Sequence, residues 1–94
     1  MGRLARTDQP DFSLTPELAF GLTLRKSRLK RGLSQQRLAD QSGYHRTYIG
    51  LLESGKKSPS LRTVFNIAAT LRVKPSLIVA GIERLLAHNE KKAH

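Results

Sequence analysis

The 94 residues contain no cysteine, so disulfides and thiolate metal sites are excluded. Acidic residues are scarce, seven against seventeen Lys and Arg, which leaves a formal net charge of +10 and a pI near 11.0. No apolar run approaches the roughly 18 residues of a membrane span, and the start of the chain carries no apolar block of the signal-peptide kind. Met1-Gly2 opens like a myristoylation site, but Arg6 stands where Ser or Thr is needed. The expectation is a cytoplasmic protein with no membrane partner and no small-molecule ligand. At 10.5 kDa the length suits one domain with one small core and leaves no room for a separate catalytic domain.

The positive charge is concentrated. Residues 25–62 carry ten basic side chains and two acidic ones, a net +8, whereas residues 1–24 sum to −1 and residues 63–94 to +3. A field focused on the middle of a chain suits a surface that meets a polyanion.

Residues 1–14, with Thr7, Asp8, Gln9, Pro10 and Asp11, show no sustained period and read as a mobile N-terminal arm. Its Arg3 and Arg6 are candidates for nucleic-acid contact, opposed by its own acids Asp8 and Asp11. Thr15 is a good N-cap, with Pro16 at the first helical position and Glu17 beside the positive helix end. That first helix is expected to reach about Arg31 and stop at Gly32, with Phe20, Gly21, Leu24 and Arg28 on one face. Ser34 caps a second helix to Gln41 or Ser42, with Leu38 and Ala39 inward and Gly43 breaking the chain. A third helix follows from about Arg46 to Glu53 or Ser54, with Ile49 and Leu52 inward and Tyr44 packing back on Ile49 as a hydrophobic staple.

Arg46, Thr47, Gly50 and Leu51 are thereby left pointing outward. A purely solvated face would be richer in Glu and Lys, and a glycine inside a helix costs roughly 1 kcal/mol relative to alanine. Helix stability alone does not account for this surface. Ser60 then caps a fourth helix to about Leu71, with Leu61, Val64, Phe65, Ala68 and Leu71 on one side. Pro75 opens a fifth to about Ala87 or His88. It carries Leu77, Ile78, Val79, Ile82, Leu85 and Leu86, a stripe wider than a peripheral helix of so small a domain needs. Residues 89–94 read as a frayed tail.

The run from Gly32 to Val64 resembles the phage-repressor and Cro helix-turn-helix family, also called Xre-type. The features that carry the likeness are Gly32-Leu33-Ser34-Gln35, Leu38-Ala39, Gly43, Ile49, Leu52-Glu53, Gly55, Pro59-Ser60-Leu61 and Leu71. The likeness spans about Phe20 to Ile78. Within the family, His45-Arg46-Thr47-Tyr48-Ile49 looks most like the small controller proteins of restriction-modification systems.

The resemblance implies an all-α, five-helix repressor-like DNA-binding domain over residues 15–88, with the helix-turn-helix formed by the second and third helices. It implies double-stranded DNA as partner and a homodimer that joins through residues 75–88, with Leu77, Ile78, Ile82, Leu85 and Leu86 at the interface. Two recognition helices would then lie about 34 to 36 Å apart on a palindromic site.

Residue by residue, it places Arg46, Thr47 and Leu51 at base-reading positions. Arginine can donate twice to guanine O6 and N7, threonine can offer a hydroxyl or a methyl, and leucine only apolar contact. Gln35, Tyr48, Ser54 and Lys56 fall where the family holds phosphates; Ser34, with Gln35 at a positive helix end, and His45 and Lys57 are further candidates for phosphate contact. Arg28 and Glu53 match an internal salt bridge between the first and third helices. His45 departs from the family pattern, which usually places Ser, Thr or Asp there as N-cap.

Enzymatic readings fare badly. His45, His88 and His94 lie on separate segments with no carboxylate at metal-ligand spacing, and no glycine-rich phosphate loop follows a strand pattern. No cofactor, metal or catalytic residue is therefore expected. The rival readings are an antitoxin or partner-binding module with autoregulatory DNA binding, and a small basic ribonuclease toxin using His45, Tyr48 and Arg46, which would require strands.

Overall fold

The computed structural model describes residues 14–93. The arm expected over residues 1–14 lies, apart from Leu14, outside the described residues, as does His94. Five helices follow one another: α1 (Pro16–Lys30), α2 (Gln35–Ser42), α3 (Arg46–Glu53), α4 (Leu61–Leu71) and α5 (Pro75–Ala93). Among the described residues there is no strand, and the class is all-α as expected.

The caps that start α1, α2 and α4 are the three hydroxyls expected. Thr15 Oγ1 accepts from the Leu18 amide, Ser34 Oγ from Arg37 and Ser60 Oγ from Thr63, each at 3.0 Å. Helix α3 begins differently, since His45 makes no side-chain cap bond. Helix α5 runs past the end expected at Ala87 or His88 and continues to Ala93. No glycine or proline follows His88 to stop it.

The core gathers one stripe from every helix: Phe20 and Leu24, Leu38 and Ala39, Ile49 and Leu52, Ile67, Ala68 and Leu71, and Ile78. Helix α1 is the spine, packed against both α3 and α5. Its approach to α3 is set by Gly21, where an added Cβ would strike the backbone carbonyl oxygens of Leu52 and Glu53. Gly55 closes the end of α3 for two reasons: its φ is +75°, and a Cβ there would lie 2.8 Å from the Leu18 Cα.

Two expectations about packing fail. Leu61 and Phe65, expected on one side of α4 with Val64, Ala68 and Leu71, are 74% and 55% exposed. Thr63 and Ile67 occupy the inner face instead, beside Ala68 and Leu71. Ile78, expected at a dimer interface, is 2% exposed and belongs to the core of the single chain. Ile82 packs partly against the same core, Leu85 and Leu86 are half-buried, and Leu77 is exposed.

Candidate nucleic-acid interface

Helices α2 and α3 are joined by Gly43, Tyr44 and His45. Gly43 takes the left-handed conformation, φ +81°, which lets its own amide and that of Tyr44 both donate to the Ala39 carbonyl, at 2.9 and 3.0 Å. The chain turns sharply enough there for α3 to start at Arg46. Arg46 and Thr47 stand exposed in its first turn, Gly50 and Leu51 are half-buried a turn later, and Ile49 and Leu52 are fully buried on the opposite side. The outward set expected from periodicity is therefore fully presented only at Arg46 and Thr47.

One buried ion pair helps to hold this face in place. Arg28 Nε donates to Glu53 Oε2 at 2.6 Å and its Nη2 to Glu53 Oε1 at 2.9 Å, a two-pronged contact between α1 and the end of α3. Arg28 Nη1 donates to the Leu33 carbonyl at 2.8 Å, and Gln35 Nε2 donates to Glu53 Oε1 at 3.0 Å. The carboxylate thus ties α1, the start of α2 and α3 together. The hydrogen bonding to the Glu53 carboxylate raises the Arg28 pKa above the ordinary arginine value, against the opposing effect of burial. The structural role expected for Arg28 and Glu53 is the one their geometry shows.

A second network lies at the start of α3 and has no counterpart among the expected contacts. Thr63, 5% exposed, sits on α4 with its Oγ1 2.9 Å from Ser60 Oγ, 3.2 Å from the Tyr48 hydroxyl and 3.4 Å from the Tyr44 hydroxyl. Asn66 Nδ2 donates to the Tyr44 hydroxyl at 3.0 Å. The two tyrosine rings stand 5.2 Å apart, tilted by 49°. Tyr44 therefore packs against Tyr48 and the edge of the core and is held by α4. Tyr48, expected to hold a phosphate, has its hydroxyl engaged with Thr63. The only sequence signal for this network was the pair of polar residues, Thr63 and Asn66, inside a helix otherwise rich in apolar side chains.

The donors left for a phosphate can be counted. Ser34 accepts through its oxygen and keeps its O–H proton free to donate. Gln35 spends one amide N–H on Glu53 and keeps the other. Ser54 turns its hydroxyl back on the Leu51 carbonyl at 3.1 Å, so its side-chain donor is spent in this conformation. His45, Lys56 and Lys57 are exposed. The turn also borders a shallow hollow of about 620 Å³, lined by Gln36, Asp40, His45, Arg46 and Thr47, in which Gln36 Nε2 donates to Asp40 at 2.8 Å.

Two short helices joined at a left-handed glycine, the second with a basic and polar outer face and a buried anchor to α1, define a helix-turn-helix DNA-binding domain. The chain belongs to the Xre-like helix-turn-helix family, whose model matches residues 24–78. It is 39% identical over 62 residues to a prophage-derived HTH-type transcriptional regulator, YonR, of Bacillus subtilis, covering 66% of this chain and 57% of that protein. It is 41% identical over 59 residues to the control protein C.BamHI of Bacillus amyloliquefaciens, covering 62% of this chain and 73% of the other. The chain thus spans a little over half the length of the YonR relative.

Among solved structures, the restriction-modification controller protein C.AhdI of Aeromonas hydrophila superposes with a TM-score of 0.63 at 38% identity, over 65% of this chain and 92% of that one. The clp gene regulator ClgR of Corynebacterium glutamicum reaches a TM-score of 0.81 over 86% of both chains. At 21% identity, ClgR supports the fold alone.

Proposed function

We propose that this chain is a transcriptional regulator that binds an inverted repeat in double-stranded DNA as a homodimer, and that it is of the restriction-modification controller kind. The observation that carries the reading is the exposed Arg46–Thr47 pair in the first turn of α3, on a helix pinned from below by Arg28 and Glu53. Side chains at the start of such a helix reach base edges in the major groove, and a rigid mount keeps that reach reproducible. The likeness to C.BamHI and C.AhdI supports the controller class.

Base reading falls to Arg46 and Thr47, with Leu51 limited to an apolar contact. Phosphates are held by Ser34, Gln35, His45, Lys56 and Lys57, and by Tyr48 and Ser54 where their internal bonds exchange for DNA. The dimer contact we place on the flank of α5 that carries Val79, Ile82 and Leu86, spaced i, i+3 and i+7, together with the exposed Leu61 and Phe65 of α4. Leu77 and Leu85 lie toward the other flank, against α1.

Selection of bound sites from random duplexes tests the whole reading. The expected result is an inverted repeat whose half-sites lie one turn apart, about 34 to 36 Å. Recovery of an asymmetric site would remove the two-fold dimer, and absence of enrichment would remove sequence reading. An antitoxin role would show instead as a second protein co-purifying at fixed stoichiometry. The ribonuclease alternative needed strands, and the described residues have none.

A further inference from the structure

A groove of about 860 Å³ runs between α1 and α5, away from the helix-turn-helix: none of its lining residues belongs to α2 or α3. Its apolar lining is aliphatic, with the exposed Leu22 and Leu77 and the half-buried Val73 and Leu85 beside the buried Leu71 and Ile78. Its charged lining is cationic, formed by Lys26, Lys30, Arg31, Arg72 and Arg84, with His88 beside them, and no Asp or Glu lines it. The volume lies within the roughly 300 to 1,000 Å³ of ligand sites, and an apolar lining with a few convergent charges is their usual make-up.

Arg72 is the telling residue. It caps the end of α4 at φ 59° and ψ 42°, and it is the one non-glycine residue with positive φ among the described residues. Glycine would hold that conformation without strain. An arginine in that conformation, beside the groove, points to a use for its guanidinium.

The chemistry of the lining narrows the occupant. Apart from the His88 imidazole no ring lines the groove, and the neutral polar groups are Thr23, whose hydroxyl already donates to the Ala19 carbonyl at 2.8 Å, and Ser27. Little is present to stack on a base or to read sugar hydroxyls. A saturated chain on the aliphatic lining and an anionic head at the cationic lining satisfy both parts of the site. A second copy of this chain does not, because a two-fold pairing on this flank would set the cationic lining against itself. We propose that the groove binds an aliphatic anion, an alkyl or acyl chain ending in phosphate or carboxylate, with Arg72 among the residues that hold the head.

The test is calorimetric titration of the full chain with decyl phosphate and with decanoate, each below its micelle concentration, alongside 1-decanol and inorganic phosphate. Saturable binding of the two chain-bearing anions at one site per chain is expected, with decanol and inorganic phosphate each at least about tenfold weaker. Arg72→Gly should weaken decyl phosphate by about tenfold without lowering Tm, since glycine suits the backbone there. Leu77→Asp, at a position 60% exposed, should abolish binding while the fold persists. Gln41→Ala, at an exposed position outside the groove, should bind decyl phosphate as the parent does.

Equal affinity for inorganic phosphate and decyl phosphate would mean an adventitious ion only and would overturn the proposal. So would an unaffected Arg72→Gly variant, or uptake only on anionic vesicles or by an acidic peptide. If decyl phosphate fails to bind and Leu77→Asp splits a dimer, the groove is an interface between copies and the proposal is wrong.

Discussion

Among the described residues, Gln35, Tyr48, Glu53 and Ser54 all make side-chain hydrogen bonds within the chain, and Arg46 and Thr47 are not among the bonded ones. Removing Arg46 therefore takes away a contact to the outside and little else. Arg46→Ala is expected to weaken specific DNA binding by about 1 to 3 kcal/mol and to relax preference at one base pair, with thermal stability unchanged. A panel of single-base operator variants read by fluorescence anisotropy would show it, and a uniform loss over the whole panel would disprove direct reading.

Glu53 is the opposite case. Glu53→Ala leaves Arg28 buried with no carboxylate, at a cost of about 3 to 5 kcal/mol seen in urea unfolding. Gly50 separates the two roles within one helix. The nearest atom to an added Cβ is Gln35 Oε1, 3.9 Å away, so Gly50→Ala fits and should stabilise the fold by up to about 1 kcal/mol. If α3 lies close along the groove of DNA, the same variant will bind its operator less tightly; unchanged affinity would show that the glycine is not kept for a close approach.

At the scale of elements, α3 is an eight-residue helix without a side-chain cap, too short to be stable alone. It is held at its far end by Glu53 and at its near end by the tyrosine pair that α4 grips through Thr63 and Asn66. Thr63→Val removes the hydroxyl on which Ser60, Tyr44 and Tyr48 converge. The expected loss is about 0.5 to 1.5 kcal/mol, because part-buried hydrogen bonds are lost without replacement, and denaturant unfolding measures it.

The sequence made the three hydroxyl caps, the breaking glycines and the outward Arg46 and Thr47 readable, since each depends on local rules. The Arg28–Glu53 pair was available only through the family resemblance, because the residues are 25 apart in the chain. Helix α4 was misjudged for a definite reason. Leu61, Val64, Phe65, Ile67, Ala68, Ala69 and Leu71 leave it apolar almost all round, so periodicity offers two overlapping stripes and only the neighbours decide between them. The same limit hid the Thr63 network, which exists only once α3 and α4 are side by side.

Across the whole molecule, charge and shape divide the labour. With Lys56 and Lys57 exposed just beyond α3 in a chain of net charge +10, binding should fall steeply with salt. Lys56→Ala should lower affinity for all sequences alike and reduce the slope of log K against log salt by about 0.9. Phe65→Asp, at an exposed position on α4, should shift sedimentation toward a single chain while leaving the helical content intact.

The clamp formed by Arg28, Gln35 and Glu53 has one more consequence, for how such a protein can diversify. Its contacts involve neither Arg46 nor Thr47, so if these two side chains read bases as proposed, the preferred sites can be rewritten without disturbing the mount. A library randomised at these two positions should yield mostly folded members with scattered operator preferences, whereas one randomised at Arg28 and Glu53 should yield mostly unfolded chains. On the proposed reading, the first two side chains of α3 are thus interchangeable lettering on a fixed frame.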